Sequence, residues 1–331
     1  MNKKTLGLLA ALCLGAATGC GATKSTVGLG YDASFNAAKG QLDLTTAFAA
    51  FNEKGEVVDV RFDVVQVKVA ANEAKDGLTL TNKNVDASGS VTSKLELGLD
   101  YNMKGSSAIE KEVDEQIEAF ADWCVGKTVE EVIAGTPGAG HGEAVNEELA
   151  TSVTITVDAF EAALKNAFET KTETTYKISK NAKAGIAMQS GLAYNYNKPT
   201  KEISVDVAGV MAEEGTVVAA SIDAIVVPVA IAADGALSLD TASKYVVDGK
   251  VTSKKDLGDA YAMRPASPIE KEWDEQAATI ETAATGKTAE EVKALVAGEG
   301  ELAEATMTVT SYLAAIAKAT DYAAKDLISA R

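Results

Sequence analysis

The chain is short of cysteine, of histidine, of positive charge and of long apolar runs. It has three cysteines and one histidine in 331 residues. Cys13 and Cys20 stand within the first twenty residues, which leaves Cys124 as the one thiol in the body of the chain. A single thiol builds no internal disulfide framework. It cannot hold a cysteine-ligated iron–sulfur cluster, and the chain has no CxxCH haem motif. The lone His141, in the glycine-rich stretch "GTPGAGHGE", argues against a histidine-rich metal site and against Ser-His-Asp catalysis. Chemistry must therefore come from a bound cofactor or from carboxylates and hydroxyls. Basic residues number 31 against 48 acidic ones, a net charge of −17. That balance argues against nucleic acid as a partner, and against a chain lying flat on an anionic membrane. Beyond the N-terminal segment, no apolar run is long enough to cross a bilayer.

What is present begins with an export signal. "MNKK" supplies positive charge, Thr5–Thr18 is apolar, and the run is too short to span a membrane. Ala17, Thr18 and Gly19 before Cys20 resemble a bacterial lipobox. On that reading residues 1–19 are a signal peptide, Cys20 is the lipidated first residue, and 20–27 is a tether. Loss of Lys3 and Lys4 leaves a charge of −19. A diacylglyceryl anchor carries two chains, enough for stable attachment. The expected location is the extracellular face of the cell membrane.

The rest of the chain contains itself twice. "VTSKLELGLDYNMKGSSAIEKEVDEQ" at 91–116 returns as "VTSKKDLGDAYAMRPASPIEKEWDEQ" at 251–276. Over 91–132 against 251–292, 22 of 42 positions are identical at a constant offset of 160, too many for chance. Upstream, Gly55, Val57, Val58 and Asp63 match Gly215, Val217, Val218 and Asp223. Downstream, the first copy carries a longer loop, after which an offset of 152 aligns Thr154 with Thr306. A period this long means duplicated domains rather than a solenoid. The expected division is 28–168 and 186–331, joined by a polar linker at 169–185.

Each copy repeats one order of elements. Strand-like runs with period-two alternation, such as Val58, Val60, Phe62 and Val64, are joined at turns marked by Gly55 and Gly215. A helix is expected near 106–124 and near 266–284, with Ser107 and Ser267 as N-caps three residues before Glu110 and Glu270. A short helix follows each "GKT-x-EEV". The closing helix carries the stripe Val157, Phe160 and Leu164, matched by Val309, Tyr312 and Ile316. Strands first and helices afterwards predict an α+β fold, each copy a mainly antiparallel sheet packed by helices.

The segment "ELATSVTITVDAFEAAL" crowds Thr151, Ser152, Thr154 and Thr156 before that closing helix. Two readings stand. Thr156, or Thr308 in the second copy, caps the helix while its neighbours are strand formers. Alternatively, the Thr154 hydroxyl carries a phosphate ester, stabilised by the unpaired N–H groups and positive dipole end of the helix.

The segment is similar to the flavinylation motif of FMN-binding domains: Asp, two variable residues, Ser or Thr, Gly, Ala, Thr, then a helix. Glu148 stands at the Asp place, Thr151 at the Ser/Thr place, Ser152 for Gly, Val153 for Ala, and Thr154 at the acceptor. In copy two, Gly300 stands at the Asp place with Glu301 beside it, followed by Ala303, Glu304, Ala305 and Thr306. Glu304 there sets a negative charge near the phosphate position, which disfavours the ester. The lipobox, "IEKEWDEQ", "GKT-x-EEV" and "SVTITV" together resemble the duplicated, flavinylated pheromone-lipoprotein family of Gram-positive extracellular electron transfer. The resemblance covers most of the chain after the signal. It implies two FMN-binding-type domains, one or two covalent FMN groups, a flavin transferase that loads them, and a membrane electron-donor flavoprotein fed by quinol.

Tyr101 and Met103 recur as Tyr261 and Met263, either flanking a flavin ring or filling the core. Trp123 and Trp273 read as helix-face core residues, and Cys124, aligned with Ala284, as a buried small residue. Asp63 and Asp223 either accept from a ring N–H, pair with a lysine, or sit exposed on a strand. Lys111 and Lys271 read as part of a solvated charged face. Two functions follow. One is a surface electron carrier, rather than a catalyst with its own substrate. The other is a non-redox lipoprotein whose paired modules bind a ligand or an envelope partner.

Overall fold

The structure, a computed structural model, describes residues 22–136, 147–193 and 199–324. The segment read as a signal peptide, Cys20 and His141 lie outside the described residues. Among those residues the chain is mixed α and β, with antiparallel sheets and eight α-helices.

In the first copy, β1 (Thr23–Asn36), β2 (Gln41–Asn52), β3 (Val57–Ala71) and β4 (Leu78–Leu80) form successive antiparallel neighbours. Helices α1 (Lys94–Leu97), α2 (Val113–Cys124), α3 (Val129–Gly135) and α4 (Asp158–Glu169) follow. The polar connection contributes β5 (Tyr176–Ile178), which pairs with β1 and completes a five-stranded sheet. The second copy repeats the order. It has β6 (Lys183–Leu192), β7 (Glu202–Glu213), β8 (Thr216–Ile231) and β9 (Leu237–Leu239), then a small ribbon of β10 (Val246–Val247) and β11 (Lys250–Val251). Helices α5 (Lys254–Leu257), α6 (Trp273–Ala284), α7 (Ala289–Lys293) and α8 (Thr310–Ala324) follow. Strand therefore begins inside the segment read as a tether, where Ser25 and Val27 are buried, and the segment read as a linker holds β5 and the start of β6.

The central strands are buried on both faces, so their sequences read as near-continuous apolar runs. On β2, Leu42, Leu44, Phe48 and Ala50 face the other sheet, while Ala47, Ala49 and Phe51 face helices. On β7, Ile203, Val205, Val207 and Met211 face the first sheet, while Ala208, Val210 and Ala212 face α6 and α8. The layers run helices, sheet, sheet, helices, and the two copies share one core between the sheets. Both hairpins carry a bulge, at Ala50/Phe51 and at Met211/Ala212, which corrects the face of each strand near its turn.

Two glycines set how closely the closing helices approach. A Cβ on Gly28 would lie 1.9 Å from the Ala167 carbonyl oxygen of α4, and one on Gly185 would lie 2.0 Å from that of Ala319 on α8. Ala167 and Ala319 are equivalent at the 152 offset, so the duplication extends to the way each closing helix seats on its sheet. Among the described residues no helix is long and apolar enough to cross a membrane.

Candidate functional site

Helix α2 opens later than the sequence spacing predicts. Its N-cap is Glu112, whose side chain and that of Glu115 form a reciprocal box, and Glu272 with Glu275 does the same for α6. Ser107 and Ser267 are not caps. Glu110 and Glu270 have positive φ of 53° and 51°, which ends the local turn before a helix can start. The buried carboxylate of Glu112 also accepts from the N–H groups of Met103 at 2.8 Å and Lys104 at 2.9 Å. It thereby fixes the loop that presents Tyr101 and Met103. Glu272 does the same for Met263 and Arg264, both at 2.8 Å.

Gln116, one turn into α2, ties down the threonine segment. Its Oε1 accepts from the Thr154 N–H at 2.8 Å, the Ile155 N–H at 3.2 Å and the Thr154 hydroxyl at 3.2 Å. Its Nε2 donates to Ser107 Oγ and the Lys111 carbonyl, both at 3.2 Å. Gln276 repeats the arrangement with Thr306, Met307, Ser267 and Lys271. Both glutamines are fully buried. Sequence reasoning missed them, although "EKE-x-DEQ" preserves the residue in both copies while the residues after it change.

A cleft of about 470 Å³ lies between α1, the Tyr101–Ala108 loop, the face of β2 and β3, and the start of α4. Its walls include Thr154, Thr156, Tyr101, Met103, Lys94, Val113 and Phe160. The expected acceptor and the two expected ring-flanking residues of copy one thus meet around one space. Lys94 Nζ stands 5.1 Å from the centroid of the Tyr101 ring. Beyond Val64, Lys94 and Tyr101 the cleft adjoins a polar recess of about 280 Å³ with Lys68 and Lys83 on its rim.

The threonines divide. Thr154 and Thr156 border the cleft; Thr151 is exposed, and the Ser152 hydroxyl turns back to the Leu149 carbonyl at 3.2 Å. Neither Thr151 nor Ser152 is among the cleft walls. Thr156 does not cap α4: the N-cap position is Val157, without a side-chain cap. The Thr156 hydroxyl oxygen is buried and has no hydrogen-bond partner among the described residues, although other atoms of the residue line the cleft. Glu148, at the Asp place of the motif, accepts from Trp123 Nε1.

Compared with protein-family models, curated proteins and solved structures, the chain matches none.

The remaining site residues fall as follows. Asp63 and Asp223 are buried strand residues, not exposed ones, at 1% and 4% exposure. Each accepts from two backbone N–H groups, Val64 and Leu95 in the first copy, Ala224 and Lys255 in the second. Burial pushes the Asp63 carboxyl up to about 7, aided by the Glu96 charge, and Asp223 up to about 6. Neither lines the cleft, so their work is to hold α1 and α5 to the sheet. Cys124 is fully buried, and burial pushes its thiol well above the usual range. Trp273 is core, but Trp123 is half-buried, with Lys127 Nζ 4.3 Å from its ring centroid. Lys271 is half-buried and pairs with Glu304.

Proposed function

We propose that this chain is a membrane-anchored extracellular electron carrier, built as two tandem FMN-binding-type units behind a lipoprotein signal and lipidated Cys20. A flavin transferase moves FMN onto Thr154 from a flavin dinucleotide: the Thr154 hydroxyl oxygen bonds to the FMN-side phosphorus, the pyrophosphate bond breaks, the nucleoside monophosphate leaves, and the hydroxyl proton passes to solvent. Electrons arrive from a membrane flavoprotein fed by quinol and leave to extracellular acceptors. The observation that supports this reading is the cleft beside Thr154. It has a volume in the range of small-molecule sites, about 300–1,000 Å³, and an aromatic, a thioether and a cation on its walls.

The residues present fit the group. Thr154 Oγ1 is the ester oxygen, at the cleft edge, and Gln116 fixes its backbone through the Thr154 and Ile155 N–H groups. Thr156 stands on the cleft wall with a buried hydroxyl that lacks a protein partner, which is costly; a turn of its side chain toward the cleft would let it donate to a ligand oxygen. Helix α4 directs its N-terminal end at the cleft through Ala159 and Phe160, a dipole end that favours phosphate, although its first turn carries Asp158 and Glu161. Lys94 adds a positive charge to walls that also hold Asp43. Tyr101, Met103, Val113 and Phe160 give apolar surface for a planar ring. When bound, the flavin supplies the redox chemistry; the protein orients it, excludes water from one side and sets the local charge.

The test is expression in a host that has the transferase, followed by denaturing electrophoresis. The band is expected to fluoresce under ultraviolet light, and Thr154→Ala to lose most of that fluorescence. A dark wild-type band of unmodified mass would remove the redox reading and leave the ligand-binding lipoprotein in its place.

A further inference from the structure

The second copy has the same scaffold around Thr306 but different contents. Strand register places Thr45 opposite Val64 and Asp206 opposite Ala224, so Asp206 is the counterpart of the cleft residue Thr45. The offsets make Trp273 the counterpart of Val113, and Tyr312 that of Phe160. All three replacements are larger or charged. Trp273 is 2% exposed, and its ring meets Tyr312 edge-on at 5.8 Å. The Tyr312 and Ser311 hydroxyls face the Asp206 carboxylate. Lys254, the counterpart of Lys94, lies 5.9 Å from the Trp273 ring and 5.6 Å from that of Tyr261. Met263 receives Gln276 Nε2 at 3.4 Å, and Tyr261 is covered by Tyr245 and Lys244.

Thr306 itself borders a groove of about 630 Å³ on another side, between Leu295–Ala297 and the start of α8. Neither Tyr261 nor Met263 lines that groove, and among the described residues no aromatic side chain does. Glu304 stands two residues before Thr306 and is paired with Lys271, so it occupies a cation beside that segment that a phosphate could have used.

From these contents we infer that the second copy is plugged: Trp273 fills the room a flavin ring would take, Thr306 stays bare, and the chain carries one flavin. This rests on the proposed flavin at Thr154 and fixes its stoichiometry. Trp273 is the residue that decides it. A Trp in place of Val adds a bicyclic side chain to the same wall, and close-packed interiors have no spare volume to move it into. The second copy then contributes half of the core between the sheets rather than a second redox centre.

Intact mass of the exported chain from a transferase-bearing host counts the groups. One FMN is expected, unchanged in Thr306→Ala and absent in Thr154→Ala. Two FMN groups, the second lost in Thr306→Ala, would overturn the plug and leave the proposed function standing. No FMN on the wild type would remove the proposed function itself. Trp273→Val on the Thr154→Ala background tests the cause, with folding checked by circular dichroism. Gain of one FMN, lost again in Thr306→Ala, is expected; a folded variant without flavin would overturn Trp273 as the block. Acrylamide quenching gives a check independent of loading. Fluorescence in Trp123→Phe, from Trp273 alone, should resist quenching, and ready quenching would contradict a filled site.

Discussion

At the scale of single residues, two buried side chains outside the threonine segment set the site. Gln116 receives three donors from Thr154 and Ile155, and no other described side chain does that work. Gln116→Ala leaves buried N–H groups without an acceptor, at about 1–3 kcal/mol for such a group. Thermal unfolding should show the loss, and flavin loading at Thr154 should fall with it. Normal loading in a destabilised variant would mean that Gln116 is structural only. Asp63 is testable by pH. Its folded carboxyl titrates at about 7, mainly because it is buried, whereas in the unfolded chain it returns to about 4. Between those values the folded state keeps a proton that the unfolded state has released. Stability therefore falls as pH rises from about 4 to about 7, and is restored on acidification. Asp223 adds the same sign up to about 6. Asp63→Asn should flatten the decline in melting temperature across that window; an unaltered slope would contradict the assignment. Neither residue's role was legible beforehand. Repetition marked Asp63, Gln116 and their counterparts as kept, but only the three-dimensional packing shows which donors point at them.

Among the elements, the helices were placed well in order and less well at their starts. The apolar stripe of α4 predicted its buried face, and Phe160, Leu164 and Val157 are indeed buried. The start of α2 was misplaced because Ser107 and Glu110 imitate a capping box, while Glu112 and Glu115 form the real one five residues on. Glu112→Ala removes the cap and releases the Met103 and Lys104 N–H groups together. The expected cost is about 1–2 kcal/mol from the cap alone, with lower flavin loading at Thr154 because Tyr101 and Met103 lose their support. Glu112→Gln should recover part of both, and equal loss in the two variants would show that charge, not hydrogen bonding, matters. Helix α4 depends on Gly28 in a different way. A Cβ there meets helix backbone, so Gly28→Ala must push α4 off the sheet and move Phe160 at the cleft. Destabilisation of about 1–3 kcal/mol is expected from overpacking.

Taken as a whole, the molecule is a duplication whose halves close on each other. Phe48 and Gly209 are equivalent by register, since they pair with Arg61 and Ser221. They also touch: a Cβ on Gly209 would lie 2.2 Å from the Phe48 ring. A contact between equivalent positions lies where a twofold axis relating the copies would pass. One side supplies the ring and the other supplies the space. The duplication was plain in the sequence, but this meeting was not. Strands buried on both faces lose the alternation that would have told the helix side from the sheet side. Cross-copy bonds seal the edges, among them Ser190 N–H to Ser90 Oγ at 2.9 Å, Ala184 N–H to Asp59 Oδ2 at 3.0 Å, and the Lys318–Glu96 pair. The second copy expressed alone, residues 183–324, should expose Ile203, Val205, Val207 and Met211 and self-associate in size-exclusion chromatography. A monomeric, cooperatively folded fragment would contradict the shared core.

The central claim is one ester bond on one side chain. Peptide mass mapping of chain exported by a transferase-bearing host tests it most directly. The account predicts that the peptide holding Thr154 carries the mass of FMN, localised by fragmentation to that threonine. An unmodified Thr154 peptide, with flavin found on another residue or on none, would contradict it.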